Sequence, residues 1–433
     1  MRLGSCALAL GLLVGCGDDG GGQLVDGMFT DAEWEQVQQF LLVDGPAPTP
    51  TNRFADDEMV AAFGKKLFFE KRYAGPLTTD SELGQAGETG KVGCITCHNP
   101  ESYFSDSRAD NRTSLGAART GRNTPSLVNV SYYEWGNWAG AHDSFWKQGA
   151  NTPETKDNAG GNRLGFAHML WDHYRDEYNA LFDPDLDPAL DPAHADAARF
   201  PPQGKPKSSD ADPDGPWELM DPDDQIIINR IMSNVGKSFD AYERKLISKN
   251  SPFDRYVEGD FSALTASAKR GLKLFIGKAG CDSCHTGSTF SDQKFHNTGV
   301  MQSRDPLDQG RYSDIPKAVN NTFNGASMYS DDPVAGAAKL EGVVQSDEVR
   351  GQFRTKSLRH LTATAPYMHD GSLDTLEDVV RFYNEGGAST GFPGTKSSLM
   401  VPLNLTSGEI DDLVAFLSSL TGEPVADEWR LAP

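Results

Sequence analysis

Cys94-Ile95-Thr96-Cys97-His98 and Cys281-Asp282-Ser283-Cys284-His285 are two copies of one pattern, C-x-x-C-H, and they govern the reading of the whole chain. The pattern is chemically demanding. Two thiols must reach the two vinyl positions of one porphyrin, and the next residue must turn its imidazole onto the iron. A single copy is compatible with a redox dithiol or part of a zinc site. Two copies with matching flanks point instead to two covalent haem c groups, with His98 and His285 as proximal iron ligands. Gly64-Lys65-Lys66-Leu67-Phe68 precedes the first motif and Gly271-Leu272-Lys273-Leu274-Phe275 the second. Phe104-Ser105-Asp106 and Phe290-Ser291-Asp292 follow them, and further on Thr124-Pro125-Ser126-Leu127 corresponds to Thr355-Lys356-Ser357-Leu358. Each unit reads helix, haem motif, irregular wrap, then a segment crossing the far side of the haem. The expected fold is mostly α, with two cytochrome c-like domains related by a degenerate internal repeat.

Working outward, Met59, Val60, Phe63 and Leu67 share one face at helical spacing. Thr406 and Glu409 form a capping box. Behind it Ile410, Leu413, Val414, Leu417 and Leu420 make an apolar stripe, with Gly422 as the stop. Between the units lies an Asp/Pro-rich stretch whose prolines and charges oppose regular structure. It reads as a solvated loop, followed by a connecting helix from Gln225 to Leu246. The expected organisation is a leader over 1–15, a tether and N-terminal segment over 16–50, and an N-terminal haem domain over 51–182. The Asp/Pro loop then spans 183–222, and the connecting helix and C-terminal haem domain span 223–433.

The N-terminus carries a minimal positive region at Arg2 and a short apolar core from Leu8 to Val14, too brief to span a bilayer. Leu13-Val14-Gly15-Cys16 reads as a lipobox, which would make Cys16 the site of a lipid anchor in the periplasm or cell envelope. Cys6 falls in the leader and four cysteines fall in the haem motifs, so none of the six remains for a structural disulfide. Asp and Glu total 62 against 40 Lys and Arg, a formal net charge of −22. That balance argues against a nucleic-acid partner. It suits a basic docking partner or plain solubility.

Arg122-Asn123-Thr124-Pro125-Ser126-Leu127, the segment from Trp138 to Gln148, and Leu361 through Gly371 join the two haem motifs in a set that resembles the bacterial di-haem cytochrome c peroxidases, above all the branch containing MauG. The resemblance implies a peroxide-reactive haem on His98 and a six-coordinate electron relay on His285. It implies Tyr383 as the relay's sixth ligand, with Met368 as the alternative. A phenolate there would favour oxidised iron, and a thioether would raise the potential. It implies that Trp138 passes electrons between the haems. It also implies that Asn123, Thr364 and the Pro366 carbonyl hold a calcium ion.

The chain departs from the family in two places. No His lies between His98 and His142, so the first iron is expected to meet peroxide without reductive activation. The family's distal Glu, placed beyond the residue matching Gln148, falls on Asn158, which cannot move a proton. Glu154 ranks first as a replacement, ahead of Asp157 and His142. The resemblance therefore implies a peroxidase fed by a small cytochrome c or cupredoxin. Two alternatives stay open: a MauG-like oxidase of residues in a partner protein, and a di-haem electron carrier without peroxide chemistry.

Overall fold

The computed structural model describes residues 24–106, 108 and 112–433. The leader and the lipid candidate Cys16 lie outside the described residues. The fold is mostly helical. Helix α1 (Asp31–Gln38) opens on a Thr30/Glu33 capping box, and α2 (Glu58–Phe69) on Asp57, whose carboxylate accepts from the Met59 and Val60 N–H groups. Next come α3 (Phe145–Asn151), α4 (Arg163–Leu181) and α5 (Pro222–Glu243), the last started by Asp221 with Pro222 in its first turn. Helix α6 (Ala266–Phe275) precedes the second motif. Helices α7 (Leu376–Asn384) and α8 (Ser407–Ser418) each begin with a Thr capping box, Thr375/Asp378 and Thr406/Glu409. Two short strands, β1 (Phe295–His296) and β2 (Phe353–Arg354), pair antiparallel with Phe295 opposite Arg354. Among the described residues no helix is long and apolar enough to cross a membrane.

Two apolar clusters form the core. In the first, Val60, Phe63, Leu67 and Phe68 of α2 meet Ile228, Met232, Val235, Phe239 and Tyr242 of α5. In the second, Leu272 and Phe275 of α6 meet Ile410, Leu413, Phe416 and Leu417 of α8. Both helix pairs touch backbone to backbone at a glycine. A Cβ on Gly64 would lie 1.9 Å from the Ser238 carbonyl oxygen, and one on Gly271 would lie 2.0 Å from that of Asp412. No other residue allows that approach.

Four expectations change. Met59 is 67% exposed, and Phe68 completes the buried face of α2 in its place. The connecting helix, expected to travel with the C-terminal domain, is α5 and belongs to the first core, because its apolar face is complementary to α2. The Asp/Pro stretch is irregular but not simply solvated. Leu186, Leu190, Phe200, Trp217 and Met220, spaced between its charges, are buried in the first core. The fourth change concerns the ends. Phe29, Val37 and Phe40 from the N-terminal segment pack into the second cluster, while Phe323, Tyr329 and Val425 return to the first. The cores therefore do not follow the expected boundaries, since burial is set by which apolar faces meet and not by chain order.

Candidate haem sites

His98 follows the helical turn Cys94–Cys97 and His285 the turn that begins at Cys281. The Nδ1–H of His98 donates to the Phe104 carbonyl at 2.8 Å, and that of His285 to the Phe290 carbonyl at 2.9 Å. Phe104 and Phe290 open the two Phe-Ser-Asp triplets, and both hold positive φ, 54° and 52°, in a turn that aims each carbonyl back at its histidine. Burial pushes the His98 imidazole down to about 4 and lowers that of His285 as well. Each ring is thus neutral, with its outer nitrogen committed and the Nε2 lone pair left for a metal. None of the four motif cysteines is in a disulfide. Burial pushes the thiols of Cys94 and Cys281 up to about 12 and that of Cys97 to about 11. Neutral, half-buried thiols argue against dithiol exchange and suit a pair that becomes thioethers. Around the first motif, Phe68 packs 6.4 Å from the His98 ring, and the Tyr73 hydroxyl lies 3.4 Å from the Cys94 sulfur.

A cavity of about 530 Å³ opens over the second motif, walled by Cys281, Cys284, His285, Leu413 and Leu417. Tyr383 reaches it from α7, beside Val379 and Val380, and Met368 reaches it from the loop before α7. Burial first, then the neighbouring Cys281 and Cys284, raises the Tyr383 phenol above its ordinary range. The structure brings both sixth-ligand candidates to one cavity. Trp138 lines the same space from a loop closed by the Gly136–His142 bridge. Its indole N–H donates to the Asn123 carbonyl at 2.7 Å, in the segment that follows the first motif.

Residues 58–262 match the family model for the di-haem cytochrome c peroxidases. The chain is 32% identical over 390 residues to the cytochrome-c peroxidase IdrP1 of Denitromonas iodatirespirans, covering 87% of this chain and 85% of that protein. The chain belongs to the di-haem cytochrome c peroxidase family. It is also 30% identical over 365 residues to the methylamine utilization protein MauG of Methylorubrum extorquens, covering 84% of this chain and 79% of that protein. A crystal structure of a MauG-like protein associated with microbial copper homeostasis shares the fold, with a TM-score of 0.61 at 24% identity over 90% of this chain and 97% of that one.

Glu154, ranked first for the far side, does not present a free carboxylate. Both its oxygens face the Arg163 guanidinium, at 2.6 to 3.2 Å, and one also accepts from the Arg163 backbone N–H at 2.8 Å. Arg163 in turn bonds Asn229 and lies over the Trp217 ring, so Glu154 anchors α4, α5 and the Asp/Pro stretch together. The residues next to Glu154 in sequence carry no sign of such a partner. Asn158 and Asp157 offer their carbonyls to the Ala117 and Ala118 N–H groups, which ties this loop to the segment after the first motif. His142 is pushed down to about 3 by burial, with Lys147 adding to the effect, so it is neutral. Its Nδ1 and the Gln148 Oε1 are both buried without a partner. Gln148 lies close against Gly136, where a Cβ would sit 2.3 Å from that oxygen.

Asn123, Thr364 and Pro366 also line the shared cavity. The Asn123 side-chain amide donates to the Pro366 carbonyl at 2.5 Å. The Asn123 amide oxygen, the Thr364 hydroxyl and the Pro366 carbonyl are neutral oxygen donors of the kind a hard cation takes. The sequence reading passed over Tyr133, Arg354 and Lys356, which line the cavity. A signal was available: the alignment of the two units sets Arg354 and Lys356 opposite Asn123 and Pro125.

Proposed function

We propose that the protein reduces hydrogen peroxide to water at the haem held by His98, with electrons entering through the haem held by His285 from a small cytochrome c or cupredoxin. The observation that carries this reading is the place of Trp138. Its ring borders the second cavity and its N–H is bound to the segment behind the first motif, so one indole touches both units. Bound haem supplies the peroxide cleavage and the electron storage. The chain holds each proximal imidazole neutral and oriented, positions Gln148 beside the Trp138 loop, and offers an aromatic step between the two sites. We read the two core clusters as cytochrome c-like halves related by a degenerate repeat, Tyr383 as the sixth ligand of the relay with Met368 as its rival, and Asn123, Thr364 and Pro366 as a calcium site. The leader reading would put the protein in the periplasm, lipid-anchored at Cys16.

Turnover with a reduced small cytochrome c or cupredoxin as donor tests this. Trp138→Phe should lower the rate at least ~tenfold, about 1.4 kcal/mol of barrier, with both haem spectra unchanged. Full turnover in that variant would remove Trp138 from the path. The presence of Tyr383 in the relay cavity favours a second reading, a MauG-like oxidase of a partner protein. Peroxide-dependent oxidation of a partner's side chains, with no turnover of any soluble donor, would select it.

A further inference from the structure

Most deeply placed arginines here have a carboxylate. Arg122 pairs with Asp308 and Asp314, Arg163 with Glu154, and Arg359 with Asp254. Arg354 does not. It is 3% exposed, its Nε and Nη1 are buried without any hydrogen-bond partner, and its guanidinium is stacked 3.6 Å from the Tyr133 ring centroid. Two residues on, the Lys356 ammonium lies 4.6 Å from the Trp138 ring centroid and 5.6 Å from that of Tyr133, and among the described residues it makes no ion pair. Both side chains line the cavity over the second motif.

A guanidinium cannot shed its proton to escape burial, and an unpaired buried cation is among the costliest arrangements a protein can hold. A site that sets an unpaired buried guanidinium and a half-buried ammonium on one wall is complementary to an anion that the described residues do not themselves supply. We propose that Arg354 and Lys356 form the seat for the propionate carboxylates of the haem attached at Cys281 and Cys284. The proposal rests on reading this cavity as the second haem's. Carboxylate recognition by Arg is also directional, since its donors form a fixed fork. Because Lys356 covers Trp138, seat and relay share a side chain, so the charge state of the second haem's edge acts directly on the indole.

The test is spectroelectrochemistry on the holoenzyme, with haem content counted separately. A cation at the propionates disfavours the more positive, oxidised iron. Arg354→Gln and Lys356→Met should therefore each lower the midpoint potential of the second haem, with a smaller shift at the first. Arg354→Lys should recover most of the loss. Unchanged second-haem potentials in both variants, or a shift confined to the first haem, would overturn the seat. Haem staining distinguishes this failure from that of the haem reading, since thioether attachment at Cys281 and Cys284 does not depend on either cation. Should Arg354→Gln fail to fold, Lys356→Met decides the matter together with the propionate bending modes in resonance Raman spectra. Those modes should move in the second haem of Lys356→Met, and their standing still would count against the proposal.

Discussion

In the first unit Gly64 of α2 lies on the backbone of α5 at Ser238, and in the second Gly271 of α6 lies on that of α8 at Asp412. His98 and His285 each donate a hydrogen bond to a phenylalanine carbonyl, the phenylalanine being held at positive φ. Away from this shared scaffold the two diverge. Counting from the crossing contacts, Glu243 of α5 holds the place that Leu417 holds on α8. Leu417 walls the second cavity, whereas Glu243 is a buried acid with an unpartnered oxygen, pushed well above the carboxylate range by burial and by Asp240. Asn123 and Pro125 in one unit stand against Arg354 and Lys356 in the other. What the two units share is the backbone geometry that presents an imidazole. What differs is the set of side chains around it, and charge and ligand type are what set the behaviour of a bound iron.

The largest effect expected from breaking this comparison is at the second haem's sixth position. Tyr383→Phe should convert that haem to a high-spin or differently ligated form in absorption and paramagnetic resonance spectra, and Met368→Leu should leave it intact. The opposite pattern would hand the position to Met368. Next is Glu154→Gln, which strands the Arg163 charge at a site where the Glu154 side chain is only 10% exposed. Breaking a buried pair from one side costs ~3–5 kcal/mol, so denaturant unfolding should register a loss of that order while the rate of reaction with peroxide holds. A large drop in that rate with stability intact would restore Glu154 as a proton carrier.

Smaller, and sharper as a comparison, are Gly64→Ala and Gly271→Ala. Each drives a methyl group into a carbonyl, and each should lose about 1–3 kcal/mol of stability, the two costs being alike if the crossings are equivalent. The smallest effect is on acid stability. Burial raises Asp308 and Asp314, but hydrogen bonds and charge from Arg122 prevail and leave both below the ordinary carboxylate value. Their folded pKa values lie below the unfolded value of about 3.9, so this contribution is present above about pH 4 and is lost as pH falls below it. Arg122→Gln should flatten that acid limb in near-ultraviolet dichroism.

Much of this was readable from residue order alone, because the features concerned are local. The C-x-x-C-H motifs, the Phe-Ser-Asp triplets, the Thr406 capping box and the apolar face of α2 are each made of residues a few positions apart. What escaped is non-local. The Arg163 partner of Glu154 depends on how the loop after α3 folds back, and α5 joins the first core because Ser238 meets Gly64 across most of the N-terminal half. Burial of Leu190 and Phe200 inside an acidic, proline-rich stretch has the same origin. Low average hydropathy hides single apolar residues that dock one at a time.

The exchanged ends have a consequence for the order of assembly. A chain that emerges from its N-terminus presents Phe29, Val37 and Phe40 early, yet the surfaces that receive them, Phe253, Phe275 and Phe290 among them, come more than two hundred residues later. At about 5–20 residues per second, the strap waits through ten seconds or more of synthesis with its apolar side uncovered. The unit built on α2 and α5 has by then all its main helices, while Val425 and Trp429, which close over it, are the last to arrive. Each half is thus sealed by a segment from the far end of the other's half. A break anywhere between them leaves each half without one of the segments that close it.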